Sequence, residues 1–194
     1  MPNAVAPPTA MFWANDKRGL DPKRSHRFIL YLNDVPSYFV MSTGVPQMTI
    51  GQGGSHKFLG HEFKFPGSLK WEGDITVKLV DTIDINMAKK FSDYVRKAGY
   101  IYPSTFSESA SSPNYFRKTI SKAKFPFNQI KIQRIDAEGV VYETWVLNNP
   151  WISKVGFGNA SYTEEKLLEV DVSFTYDWAE LREGDSGNPP PFPA

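Results

Sequence analysis

From residue 27 to residue 178 apolar side chains recur mostly at every second position, the period of a half-buried β-strand. Residues 27–32 (RFILYL) begin the pattern, and Asn33, Asp34 and Pro36 end that run with a turn. Residues 38–41 predict a second strand. Thr49 and Ile50 lead into Gly51-Gln52-Gly53-Gly54, and residues 57–65 follow with Phe58, Phe63 and Phe65, so residues 49–65 predict a long hairpin with the glycine run at its tip. Residues 73–80 alternate, with Ile75, Val77 and Leu79 on one side and Asp74, Thr76 and Lys78 on the other. Residues 129–135 and 140–147 flank Asp136-Ala137-Glu138-Gly139, a hairpin turn, and residues 151–157 predict a shorter strand. Residues 166–178 give the strongest strand: Leu168, Val170, Val172, Phe174 and Tyr176 form one face, and Glu169, Asp171, Ser173 and Thr175 the other.

The period changes to three and four once. Ala88, Phe91, Tyr94, Val95 and Ala98 share a face of a helix predicted over residues 85–98. Asp84 is expected to cap its start, Arg96 and Lys97 suit its last turn, and Gly99 closes it. Seven or more strands with one helix predict a mainly β fold, a sandwich or barrel flanked by that helix.

Outside this region the pattern fails. Residues 1–24 and 181–194 are rich in Pro with Ala or Gly and read as terminal arms, either disordered or ordered against a neighbouring subunit. Between them, residues 25–180 form the domain, interrupted by a Ser/Pro-rich insertion at residues 100–128 with a short helix near residues 114–122. A loop of that length is uncommon inside a compact domain and is expected to serve outside contacts.

Composition narrows the chemistry. The 194 residues include no cysteine, which excludes a disulfide framework and thiolate metal sites. A net charge of +1 lacks the basic excess of a protein that grips nucleic acid; it is equally compatible with a conduit along which DNA slides and with a protein that never meets DNA. No run approaches the ~20 apolar residues of a membrane-spanning helix, and the N-terminal stretch reads as a tail rather than a signal peptide.

Candidate catalytic groups do not assemble. His56 and His61 lie five apart, and simple alternation sends them to opposite faces, against joint metal binding; His26 stands apart. The Gly51–Gly54 run precedes no helix and so lacks the amides of a phosphate loop. Asp81 with Asp84 falls at a helix start and Glu164 with Glu165 in a polar turn, neither with a sign of an apolar pocket to tune it. These observations predict a non-enzyme without a cofactor or metal. Trp71, Trp145, Trp151 and Trp178 lie in or beside strands, which fits core and intersubunit packing; a stacking platform for sugars, as in a carbohydrate-binding sandwich, is the alternative from another class.

Three blocks in order resemble one family. RFILYLNDVPSYFVMSTGVPQMTIG gives a strand, a turn and a strand running to a small-residue kink before Val-Pro. HKFLGHEFKFPGSLKWEGDITVKLVDTIDINMAKKFSDYV joins a Phe-Pro-Gly strand to a central strand and the helix. NNPWISKVGFGNASYTEEKLLEVDVSFTYDWAEL passes from Pro-Trp-Ile to a long alternating strand ending in Tyr-Asp-Trp. Together they resemble the tail tube proteins of contractile-tailed phages of the T-even type, related to type VI secretion tubes and baseplate tube-initiators. The resemblance implies hexameric rings that stack into a tube, with strands of six subunits joined into one inner barrel. It implies a hairpin and arms reaching neighbouring subunits, a sheath outside, initiator and terminator proteins at the ends, and tape-measure protein and double-stranded DNA passing through. The location it implies is the virion tail, assembled in the bacterial cytoplasm. Under this resemblance Thr49, Gly51, Gly53, Gly54, Lys57 and Phe58 are expected at the inter-ring hairpin, and Glu169, Asp171, Ser173 and Thr175 on the lumen face. The longer arm, insertion and Pro-rich tail leave open a main tube subunit or a specialised end ring.

Overall fold

Alternation builds two four-stranded antiparallel sheets in the computed structural model, which describes residues 23–100, 120–163 and 165–184. The first sheet has the order β1 (Phe28–Tyr31), β6 (Gln129–Ile135), β7 (Val141–Asn148), β10 (Trp178–Glu183). The second has the order β2 (Val40–Thr43), β5 (Asp74–Val80), β9 (Glu169–Thr175), β8 (Trp151–Gly156). A separate two-stranded ribbon consists of β3 (Gln47–Phe58) and β4 (His61–Glu72). The mainly β fold with one helix, expected from sequence, is the fold observed among the described residues.

The core lies between the sheets. Leu30, Ile130, Ile132 and Leu147 face it from the first; Val77, Leu79, Val170, Val172 and Phe174 face it from the second. Helix α1 (Met87–Lys97) covers one flank with Met87, Phe91, Tyr94 and Ala98, spaced four, three and four apart so that they stack on one stripe. Phe127 meets Tyr94 and Phe174 edge-on, at centroid distances of 5.2 and 5.4 Å, and so locks helix to sheet. Residues 100–128 are therefore not all outward-looking: Phe125 and Phe127, after a 3-10 turn at Lys122–Lys124, belong to the core.

Several expected boundaries move. Asn86, not Asp84, caps the helix, its Oδ1 accepting from Lys89 N at 2.6 Å. Asp81 assists by accepting from Met87 N at 2.7 Å, which gives that acid a structural task. Residues 37–39 form a 3-10 turn before β2. The strand expected over residues 166–178 is two strands in different sheets. Asp177 marks the crossing: its N–H donates to Asn148 O at 3.1 Å, and its carboxylate accepts from Lys122 at 2.6 Å and Asn149 at 3.0 Å. At the other end Leu168 lies before β9 and is exposed, and β10 runs on to Glu183, past residue 180. The turn at residues 136–139 forms as expected: Asp136 Oδ1 accepts from Glu138 and Val140, and Gly139 takes φ +83°. The arm to residue 22, residues 101–119 with most of the short helix expected near residues 114–122, Glu164 and the tail from residue 185 lie outside the described residues.

Candidate assembly surfaces

The ribbon leaves the sandwich as two twelve-residue strands with almost every side chain exposed. Its turn is Leu59-Gly60, both at positive φ (48° and 80°), the geometry of a tight two-residue hairpin. The Gly51–Gly54 run is therefore not the tip. It lies in mid-strand, where the β3–β4 register is twice interrupted, between Ile50 and Gln52 and between Gln52 and Gly54. The reason is contact distance: a Cβ on Gly53 would lie 2.8 Å from Pro66 O, and one on Gly67 2.9 Å from Gly53 N. The glycines form a waist where the two backbones press together.

Beyond the waist the register is unbroken: Gly54↔Phe65, Ser55↔Lys64, His56↔Phe63, Lys57↔Glu62, Phe58↔His61. Facing residues of a ladder share a side, and so do residues two apart. One face of the distal ribbon thus holds His56, Phe58, His61, Phe63 and Phe65; the other holds Ser55, Lys57, Glu62 and Lys64. The two histidines, expected on opposite faces, share one, because the turn between them reverses the strand. Phe58, Phe63 and Phe65 are 60%, 52% and 56% exposed. Thr49 lies below the waist on the polar side, its Oγ1 donating to Glu72.

The second surface is the outward side of the second sheet. Glu169, Asp171, Ser173 and Thr175 lie together on β9, half-buried, beside Asp74, Thr76 and Lys78 of β5 and Lys154 of β8. Lys78 Nζ stands 3.4 Å from Glu169 and 3.7 Å from Asp171. Asp74 accepts from Ser153 at 2.6 Å and from Thr175. The face is thus polar and internally paired rather than simply acidic. The matching outward positions of the first sheet, Gln133, Thr144 and Val146, are already buried. The second sheet ends in two edge strands, β2 and β8.

A third cluster holds the base of the N-terminal segment. Glu143, largely buried, accepts from Lys23 and from Trp145 Nε1 at 2.9 Å, with Arg134 at 3.7 Å. Burial alone would raise its carboxyl, but the Lys23 and Trp145 hydrogen bonds and the Arg134 charge prevail and hold it below its ordinary value. Trp71, Trp145 and Trp151 are partly buried against the core, whereas Trp178 is exposed, its Nε1 donating to Glu180 at 3.3 Å. Among the described residues no three His, Asp or Glu side chains converge as metal ligands.

No family model and no curated protein matches the sequence. The fold, however, recurs in solved structures. A chain from the anti-feeding prophage cap, the AFP tube terminating cap, is similar over 87% of this chain and 96% of its own, at 15% identity and a TM-score of 0.58. A chain from the PVC sheath/tube terminator of an extracellular contractile injection system matches over 84% and 97%, at 14% identity and a TM-score of 0.56. A chain from the PVC sheath-tube complex in the extended state matches over 84% and 92%, at 14% identity and a TM-score of 0.53. The chain shares its fold with chains of contractile-system tube assemblies, as the three sequence blocks implied.

Proposed function

We propose that this chain is a structural subunit of a contractile-tail tube, which closes into rings around an axial channel and stacks through its ribbon. The observation that carries this is the second sheet: a polar outward face ending in two open edges. Its four strands alternate in direction, so β2 and β8 run oppositely. Copies related by rotation about an axis along the strands then bring β2 of one against β8 of the next in antiparallel sense, and the sheet continues from copy to copy. Edges that would otherwise invite aggregation are paired by design.

In this reading Glu169, Asp171, Ser173 and Thr175 line the lumen. Carboxylates alternating with Lys78 and Lys154 leave that wall near neutral, which favours passage of double-stranded DNA and a tape-measure protein over retention. The sheath is the outer partner, and initiator and terminator proteins meet the ends; the location is the virion tail, assembled in the bacterial cytoplasm. Replacing Glu169 and Asp171 with lysine leaves rings intact and slows DNA exit; unchanged exit kinetics would remove the lumen assignment.

A second reading is a ring that ends the tube. Two of the three structural neighbours described above come from a cap and a terminator. Negative-stain microscopy of the purified chain separates the two: hollow filaments mark the tube subunit, rings that do not stack mark the end ring. Monomers persisting at high concentration contradict both.

A further inference from the structure

The two sheets of the sandwich differ on their outward sides. On the second, no outward position of the central strands is buried: Thr76 and Lys78 are exposed, Asp171 and Ser173 partly so. On the first, Gln133, Thr144 and Val146 are 2%, 0% and 0% exposed. Both sets stand in the middle of a four-stranded sheet, so neighbours within the sheet do not account for the contrast. Nor does the core. Every other buried apolar residue described belongs to the core cluster; Val146 alone is fully buried and lies outside it. Something other than the core covers this side of β7.

The chemistry of that cover shows in what it leaves unpaired. Tyr142, Thr144 and Val146 alternate along β7 and so share a side. The Tyr142 and Thr144 hydroxyls are buried without a hydrogen-bond partner. A polar cover would supply partners, whereas an apolar one leaves them bare. From Tyr142 to Val146 the strand runs about 13 Å, and with one flanking strand spacing on each side two aromatic side chains suffice to cover it.

The chain carries such a group close by. Lys23 Nζ stands 5.2 Å from the centroid of the Tyr142 ring, so the described chain begins against this side of β7. Ten residues upstream is Met11-Phe12-Trp13. Ten extended residues span about 33 Å, ample to lie back over Val146. The other stretches outside the described residues fit less well. Residues 101–119 leave and return at the opposite end of β7, where Ser121 N donates to Ala98 O at 2.8 Å and Lys122 holds Asp177 beside Asn148. The tail starts near Tyr142, Gly184 N donating to Tyr142 O at 3.2 Å, but brings one aromatic residue, Phe192, among prolines.

We propose that Met11-Phe12-Trp13 folds back onto the outward side of the first sheet of its own chain, over Tyr142, Thr144 and Val146. The burial is complete within a single chain, so the segment closes its own subunit rather than serving as an arm for a neighbour. The proposal does not depend on the tube reading. Within that reading this side is turned away from the channel, and an outer partner meets the segment instead of the bare sheet.

The chain has no cysteine, so a single Val146→Cys reports the cover by its rate of alkylation with a maleimide. In dilute full-length protein it should react on the order of 100-fold more slowly than Thr76→Cys on the open second sheet. Removing residues 2–20 should bring the two rates together, while removing residues 186–194, or replacing residues 102–118 with a short linker, should leave Val146→Cys slow. Val170→Cys, in the core, should stay slow in the chain lacking residues 2–20 and so report an intact sandwich. If that truncation also opens Val170→Cys, full-length Phe12→Asp with Trp13→Asp decides by the same rates. Three results overturn the proposal: fast alkylation of Val146→Cys in the full chain, protection that survives loss of the segment or its aromatic pair, and protection that disappears on dilution, which would assign the segment to a neighbouring subunit.

Discussion

The sandwich and the ribbon are written in the same alternating pattern and end in opposite environments. In β9, Val170, Val172 and Phe174 are fully buried because the first sheet and the helix supply the other half of their contacts. In the ribbon, Phe58, Phe63 and Phe65 alternate as regularly and stay more than half exposed. The pattern states only that a face is to be covered. Whether a cover is supplied is decided by topology, and among the described residues the ribbon's aromatic face has none.

This contrast is easiest to break from the core side. Phe174→Ala should cost about 3–5 kcal/mol in urea unfolding, the penalty for an aromatic cavity. A cost as small as that of a surface change would mean the two sheets do not share one core. Next in size is the waist. Gly67→Val places a side chain against Gly53 backbone and should destabilise the ribbon by about 1–3 kcal/mol. Amide exchange should rise in β3 and β4 while the sandwich keeps its protection; faster exchange throughout would show that ribbon and body fold as one unit.

Glu143→Gln should cost about 1–2 kcal/mol by weakening its charge-assisted hydrogen bonds. The sign of its pH dependence follows from its lowered carboxyl. The carboxylate's contribution is complete above its ordinary value of 4.5 and is lost as pH falls through the lower folded value. The wild-type advantage over the variant should therefore vanish in acid; an advantage that persists there would place the effect in packing. The smallest change is on the ribbon itself. Phe63→Ala should alter monomer stability by no more than about 0.5 kcal/mol.

The body was legible because its local signals agree. Ile75, Val77 and Leu79 alternate into the core, Asp136 and Gly139 carry the turn chemistry, and Phe91 and Tyr94 mark the helix stripe. Sequence reasoning failed where a long-range contact outweighed a local preference. The glycine run looked like a turn because glycine favours turns; the structure uses it for close approach of two backbones, which depends on Pro66 and Gly67 across the ribbon. The strand expected over residues 166–178 looked continuous because its alternation never falters. Asp177 divides it through Lys122, Asn148 and Asn149, partners distant in sequence. The shared face of His56 and His61 became visible once Leu59 and Gly60 were known to be the turn. Phe125 and Phe127 were hidden among prolines and serines that gave no period to read.

The most direct test of edge completion uses a chain that carries no cysteine of its own. Ser42 on β2 and Lys154 on β8 sit at opposite edges of the same four-stranded sheet, three strand spacings apart. That separation is about 14 Å, too wide for a disulfide within one chain, which needs Cα atoms closer than about 7 Å. Ser42→Cys should be paired in turn with Ser153→Cys, Lys154→Cys and Val155→Cys to cover neighbouring registers. Oxidation of the assembled protein should give a ladder of covalent oligomers that stops at one closed size in at least one of the three. Monomers alone from all three, in samples whose rings are visible by microscopy, would contradict the account.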